Sequence, residues 1–137
     1  MDLQNLAYAL TQVAHNFGAA AVVAAPLFAR WPLRADAAVR HRLAWLVLAG
    51  WVVQGMSGAG FGAISYAYYG AFPDIHGIAV AALLLKMACA AGGVVLAALM
   101  LRWGARWSDD AHHCAWGGLL LLGATALTAA AFLRWFS

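Results

Sequence analysis

Charged side chains are scarce in this sequence. Of its 137 residues, 66% are hydrophobic and only 9% are charged, whereas about a quarter of the residues in a soluble domain carry charge. Two cysteines are too few for a disulfide framework of the kind that holds small secreted domains together. The first five residues contain one acid and no base, so the basic start of a secretory signal peptide is missing. We therefore expect neither a soluble domain nor a disulfide scaffold, and we expect the first apolar segment to be retained.

Four long apolar segments fill most of the chain. They lie at about residues 6–29, 43–72, 77–101 and 115–133. A helix needs about 20 apolar residues to cross a hydrocarbon core of about 30 Å. Strands of a β-barrel would be half as long and would alternate polar with apolar residues, which these segments do not. Since backbone groups in lipid must pair within their own helix, the sequence predicts an all-α fold, a single transmembrane domain (residues 1–137) that forms an up-down-up-down four-helix bundle.

Arginines are distributed unevenly among the predicted loops. Four lie in residues 30–42 and two in residues 102–113, whereas residues 73–76 contain none. The positive-inside rule therefore places the first and third loops in the cytoplasm and both termini outside. We interpret the basic residues as topology anchors, so we expect a multi-pass protein of a bacterial inner (cytoplasmic) membrane. Its surroundings are then the lipid bilayer, and no nucleic-acid partner is expected.

Local signals mark the helix ends and one packing face. Asp36 is expected to cap the start of the second helix, and Ser108, which two acids follow, to cap the fourth. Pro73 is expected to end the second span at residue 72, because the residue before a proline is pushed out of the helical region. Gly58 and Gly62 have the spacing of close helix contacts in membranes. We expect their face to touch another helix.

Two ionisable side chains lie deep within the predicted spans, His15 in the first and Lys86 in the third. Ionisable groups in lipid are costly and mark a site by default. Each lies nine residues from the outer end of its span, which places both about 13 Å below the outer surface. We predict that they meet in one polar pocket, shared by a cofactor or a proton path, and that both are catalytic. The other strongly polar residues at depth are Gln12, Asn16, Gln54 and Ser57.

The residues around these polar groups are small, as a flat cofactor would require. Neutral imidazole is the usual axial ligand of haem iron. We therefore expect haem b, with His15 as the metal ligand and with Lys86, Gln54 and Gly18 as further cofactor contacts. Lys86 could neutralise a propionate, act as a second ligand or carry a proton. Small residues also favour helix packing in membranes, which explains the same pattern without a cofactor.

No second histidine is positioned to ligate the same iron as His15. His41 lies at the inner end of the second span and His76 at the outer end of the third. The paired-histidine arrangement of ordinary b-type cytochromes is therefore not expected within one chain. Three arrangements are left for the iron: His15 with Lys86, His15 with water, or His15 with a group of another subunit. The alternative is that the chain binds no haem.

Two further clusters have alternative interpretations. Residues 109–114 contain several metal-ligand types, but consecutive helical residues point about 100° apart, so at most two could share a metal. A capped helix start explains them better. Residues 65–69, together with Asp74 and His76, form an aromatic and titratable rim. This rim could receive a quinone or a periplasmic partner, or it could be an interfacial tyrosine belt.

The positions of the polar residues resemble those of two small families. A histidine deep in the first span, Arg40 and Arg42 before the second, and a lysine inside the third are similar to the bacterial four-helix membrane protoporphyrinogen oxidase and to the related copper-resistance D type of membrane protein. The resemblance covers about the first 100 residues. It implies a haem b-binding membrane oxidoreductase in which His15 and Lys86 are both needed and Arg40 belongs to a basic pair at the cofactor.

Two classes of function follow. The first is a haem-binding redox protein that passes electrons between a quinone, a porphyrin or a periplasmic partner, as a homo-oligomer or as part of a larger redox complex. The second is a non-enzymatic subunit of a membrane complex, or a copper-handling protein, whose polar core serves assembly or ion passage. A haem Soret band in the purified protein would distinguish the two classes.

Overall fold

Four long helices make up almost all of the described part of the chain. The structure is a computed structural model that describes residues 2–30 and 36–136. Helix α1 spans Leu3–Arg30, α2 Ala37–Tyr69, α3 Ile78–Trp103 and α4 Asp109–Phe136, and a short 3-10 helix at Gly104–Arg106 follows α3. Each of the four long helices is apolar and long enough to cross a membrane. The predicted all-helical bundle with four candidate membrane spans is thereby confirmed, while Arg34, in the predicted first loop, lies outside the described residues.

The two predicted helix caps are present. Oδ1 of Asp36 accepts a hydrogen bond from the backbone N–H of Val39 at 2.8 Å. Oγ of Ser108 accepts one from the N–H of Ala111 at 3.2 Å. The first N–H groups of a helix have no partner within it, so a side-chain oxygen at this place satisfies one of them. Both caps could be predicted because they depend only on local sequence.

The end of α2 differs from the prediction. The helix stops at Tyr69, three residues before the expected end at residue 72. Gly70 adopts φ 69°, and its N–H donates to the carbonyl of Tyr66. Glycine adopts this left-handed conformation without steric cost because it has no β-carbon. A glycine in this conformation commonly ends a helix. Gly70, not Pro73, therefore terminates the second span.

Glycines set how closely the helices approach one another. Gly18 of α1 lies against the backbone carbonyl of Gly50 in α2, where a β-carbon would be 3.1 Å from the oxygen. Gly93 of α3 leaves the space that the indole of Trp51 occupies. Gly123 of α4 lies against a backbone carbonyl of α1. Each of these contacts brings two backbones or a backbone and a large ring into close packing, as is usual between membrane helices.

The face of Gly58 and Gly62 is not one of these contacts. A β-carbon at Gly58 would have no atom within 4 Å, and one at Gly62 would meet only the ring of Phe72, at 3.6 Å. Within the described chain this face therefore contacts no other helix, and its contact with a helix of a second subunit stays a prediction. Gln54 and Ser57 are buried, and consecutive residues lie about 100° apart around a helix. Gly58 follows Ser57 directly and lies about 100° further around α2, where it is exposed.

Candidate functional site

His15 on α1 and Lys86 on α3 are in direct contact. Nζ of Lys86 lies 2.9 Å from Nε2 of His15, which is a hydrogen-bonding distance. Both residues are half-buried, and 71 positions of sequence separate them. The structure thus brings together the two ionisable side chains that the sequence places deep in different spans.

Ser57 on α2 holds the other nitrogen of the imidazole. Nδ1 of His15 lies 2.7 Å from Oγ of Ser57, and the Ser57 hydroxyl donates to the backbone carbonyl of Val53. A hydroxyl has only one proton to donate, so we assign the imidazole proton to Nδ1, with Ser57 as its acceptor. Nε2 of His15 then carries the lone pair and accepts from Lys86. The three hydrogen bonds run in one direction, from Lys86 through His15 and Ser57 to Val53.

Gln54 and Gly18 position this histidine from the α1–α2 contact. Nε2 of Gln54 donates to the backbone carbonyl of His15, and the side chain is 7% exposed. A β-carbon at Gly18 would lie 3.3 Å from the same Gln54 nitrogen, so the missing side chain leaves room for the amide. Both residues therefore contact the backbone of the neighbouring helix, not an open pocket beside the imidazole.

Phe61 forms an aromatic wall beside His15. The two ring centroids are 5.7 Å apart with an interplanar angle of 71°, an edge-to-face arrangement. Tyr8 packs against the same phenyl ring at 6.3 Å. Sequence reasoning did not assign Ser57 or Phe61 to the site. The available signal was their spacing, because Ser57 and Phe61 lie three and seven residues after Gln54 and share its helix face.

Arg40 does not join this group. It lies in the first turn of α2, 14 residues before Gln54, which is about 21 Å along the helix axis. Its backbone N–H bonds to the carbonyl of Asp36 at the helix start. The structure therefore places the basic residue of the family resemblance apart from the His15–Lys86 contact.

The histidines at the start of α4 have structural partners. A ring nitrogen of His112, Nε2, is 2.9 Å from the backbone carbonyl of Gly104, to which it donates. Arg30 of α1 donates to the backbone carbonyl of His113 at 2.9 Å and to its Nε2 at 3.0 Å. Within residues 2–30 and 36–136, no group of three or more histidine, cysteine or carboxylate side chains could hold a metal ion. The 109–114 segment is thus a capped helix start with two histidines in interhelical or loop contacts.

The hydrogen bonds of His15 set a condition on metal binding at its ring. Histidines that ligate metals donate the other ring N–H to an acceptor, which fixes the tautomer, and Ser57 accepts from Nδ1 in this way. Nε2 carries the lone pair that iron requires. Because Lys86 lies 2.9 Å from that nitrogen, iron ligation at Nε2 requires the ammonium group to move away.

Comparison with protein-family models, with curated proteins and with solved structures found no match to this chain.

Proposed function

We propose that this chain is a small membrane redox protein in which His15 binds haem b. The observation that supports this is the hydrogen-bond series from Lys86 through His15 to Ser57, among four helices of membrane-spanning length. Ionisable side chains at such depth are costly and are retained where they serve a function. Haem would supply one-electron chemistry, and its potential would depend on the axial ligand and the groups around it.

The residues of this chain have distinct parts in the proposal. Ser57 fixes the imidazole so that Nε2 faces the ligand, and Gln54 holds the backbone of His15 in place. Lys86, once displaced from Nε2, balances the charge of a propionate or carries a proton, since a lysine amine changes protonation readily when desolvated. Phe61 covers the edge of the imidazole with apolar surface.

The reaction partner in this proposal is a quinone or a porphyrin. Both are amphipathic and dissolve in the bilayer around the helices, and the pattern of His15 and Lys86 is similar to that of the membrane protoporphyrinogen oxidases. The substrate class would be a porphyrinogen or a quinol, with a periplasmic or membrane redox partner as the electron acceptor, and haem held by His15 would supply the one-electron chemistry. Association with a larger redox complex would bring that acceptor close.

We further propose that the four helices run up-down-up-down with both termini outside a bacterial inner membrane. Nε2 of Gln4 donates to the hydroxyl of Tyr69 at 2.6 Å, so the start of α1 and the end of α2 lie together. At the opposite end of α1, Arg30 contacts His113, which lies near the start of α4. Arginines concentrate at this second end, which supports a cytoplasmic position for it.

A visible spectrum of the detergent-purified chain tests the haem proposal. The expected result is a Soret band that His15→Ala abolishes, because iron loses its strongest ligand. His76→Ala is the matched control, because this histidine lies in the exposed segment between α2 and α3, and it should keep the band. Circular dichroism checks that both variants remain helical. A wild-type chain without a Soret band after expression with added haem precursor overturns the proposal.

Lys86→Ala separates the two proposed parts of the lysine. If the amine ligates the iron, the Soret and visible bands shift in position. If it balances charge, the bands stay and the midpoint potential changes. The reason is that a buried cation near haem stabilises the reduced form, and the alanine variant lacks that cation. A spectrum and a potential that both match the wild type would contradict a role for Lys86 at the haem.

One observation favours a second candidate, a non-enzymatic subunit of a membrane complex. Lys86 already bonds to the lone pair of His15. The two side chains therefore satisfy each other's hydrogen bonding, and their contact can hold α1 and α3 together without a cofactor. In that case the spectrum is featureless, and both His15→Ala and Lys86→Ala lower the unfolding temperature in detergent without changing any absorbance.

A further inference from the structure

Two carboxamide side chains lie exposed near the middle of α1. Asn16 is at the midpoint of this 28-residue helix, and Gln12 lies one turn before it. Both residues are exposed. Nε2 of Gln12 donates to Oδ1 of Asn16 at 2.7 Å. At this position in a membrane-spanning helix, an exposed residue faces lipid tails or another helix.

The single bond between the two amides leaves most of their hydrogen-bonding capacity unused. Each carboxamide has two N–H donors and a carbonyl with two lone pairs. Among the described residues, the Gln12–Asn16 bond is the only one that either side chain makes. Lipid tails offer no donors or acceptors, and amides in membranes form hydrogen bonds across helix contacts. The remaining N–H groups of Asn16 therefore require a partner outside this chain.

The same face of α1 allows a second helix to come close. Ala9 and Ala20 are exposed on the side of the helix that carries Gln12 and Asn16, at positions 9, 12, 16 and 20. These spacings of three and four residues place all four side chains in one stripe along the helix. Alanine on either side of the amides lets another backbone approach within contact distance.

We propose that this stripe, Ala9, Gln12, Asn16 and Ala20, is the contact between α1 of one copy of this chain and α1 of a second copy. Two copies inserted in the same direction are related by a twofold axis along the membrane normal. Such an axis puts the same residue of each copy at the same depth. An amide carries both donor and acceptor, so Asn16 satisfies Asn16 of the partner subunit. A single asparagine in a helix seam selects paired helices in the same way.

This dimer is independent of the haem proposal, and cross-linking in native membranes tests it. The background is the full chain with Cys89→Ala and Cys114→Ala, which removes the two native thiols. Ala20→Cys should form a disulfide-linked dimer when a mild oxidant is added. Met56→Cys is the control, because Met56 is exposed on α2, away from the stripe, and it should stay monomeric. Absence of a linked dimer for both Ala20→Cys and Ala9→Cys overturns the proposal.

Loss of the amides provides a second measurement. In lipid nanodiscs or mild detergent, the mass of the wild-type particle should correspond to two copies, and Gln12→Leu with Asn16→Leu should reduce it to one. Thr128→Val is the matched polar-to-apolar control, because this exposed hydroxyl is already bonded to the carbonyl of Ala124 within its own helix. A wild-type mass of one copy, or a leucine variant that stays dimeric, contradicts the assignment. A one-copy mass would leave a different protein or water as the covering partner.

Discussion

The indole ring of Trp51 lies directly over Gly93, in space that the β-carbon of any other residue would fill. Trp51 is 1% exposed, so the ring is enclosed on every side and cannot tilt away without opening the core. Gly93 therefore fixes the separation of α2 and α3. Lys86 lies seven residues earlier on the same face of α3, so a shift of α3 away from α2 would also move its amine relative to His15.

Replacement of Gly93 by alanine should lower stability and disturb the site together. The new methyl group collides with the indole of Trp51, and overpacking of a well-filled core costs about 1–3 kcal/mol. Thermal unfolding in detergent, followed by circular dichroism, measures the effect. Gly58→Ala is the matched control, because nothing lies within 4 Å of a β-carbon there, and it should leave the melting temperature unchanged or raise it. Equal melting temperatures for Gly93→Ala and wild type would refute this packing.

Replacement of Ser57 by alanine should change the state of the imidazole of His15. The hydrogen bond from Ser57 to the carbonyl of Val53 assigns the imidazole proton to Nδ1, with Ser57 as its acceptor, and alanine would leave that N–H without an acceptor. Nitrogen NMR of ring-labelled histidine should report an Nδ1–H tautomer in the wild type and a changed signal in Ser57→Ala. Stability should fall by about 0.5–1.5 kcal/mol.

Ser65→Ala is the control for this measurement. The Ser65 hydroxyl donates to the carbonyl of Ala71 at 3.0 Å, beyond the end of α2, so its loss should leave the His15 signal in place. A wild-type tautomer with the proton on Nε2 would show that the direction of the hydrogen-bond series is reversed.

Cysteine labelling should establish the orientation in the membrane. Asp74 and Arg106 are both exposed, the first between α2 and α3 and the second between α3 and α4. In a background with Cys89→Ala and Cys114→Ala, Asp74→Cys should react with an impermeant maleimide in intact cells. Arg106→Cys should react only after the membrane is permeabilised. The opposite pattern would place both termini in the cytoplasm.

Replacement of Arg30 by lysine should weaken the contact between α1 and α4. Two nitrogens of the guanidinium reach the carbonyl and the ring of His113 at 2.9 and 3.0 Å, whereas a lysine has one nitrogen and cannot reproduce the forked contact. Loss of one hydrogen bond should lower stability by about 0.5–1.5 kcal/mol. Gly117→Ala should act in the same direction, because Arg30 lies across this glycine. Arg106→Lys, at an exposed position, should have no such effect in the same unfolding experiment.

The parts of the fold that could be predicted depend on local or one-dimensional quantities. Segment length and hydropathy predict the four helices, and the caps at Asp36 and Ser108 depend on neighbouring residues alone. The contact of His15 with Lys86 was accessible because depth along a span can be counted in residues. Because a helix rises about 1.5 Å per residue and a span crosses a core of about 30 Å, the number of residues from the end of a span gives the depth of a side chain in the membrane.

The parts that could not be predicted depend on how α2 is rotated. Apolar residues occur all round this helix, so no periodic stripe marks the side that faces the core. The spacing places Ser57 on the face of Gln54, but without that rotation it does not show which of the two reaches the imidazole or that Gly58 lies at the outer surface. Gly70 was missed for a different reason, since the nearby Pro73 offered a stronger signal for the end of the helix.

Pro26 lies inside α1 and is buried. Proline has no N–H, so the carbonyl of Val22 is without the donor that a helix normally supplies four residues later. Gly123 of α4 rests against this carbonyl, and a β-carbon there would come within 2.9 Å of the oxygen. If α4 moved by one residue along its own screw, with a rise of about 1.5 Å and a turn of about 100°, Leu122 or Ala124 would take the place of Gly123 and its β-carbon would strike the oxygen. The contact between Gly123 and the carbonyl opposite Pro26 therefore fixes the axial register of α1 and α4, two helices that no loop connects.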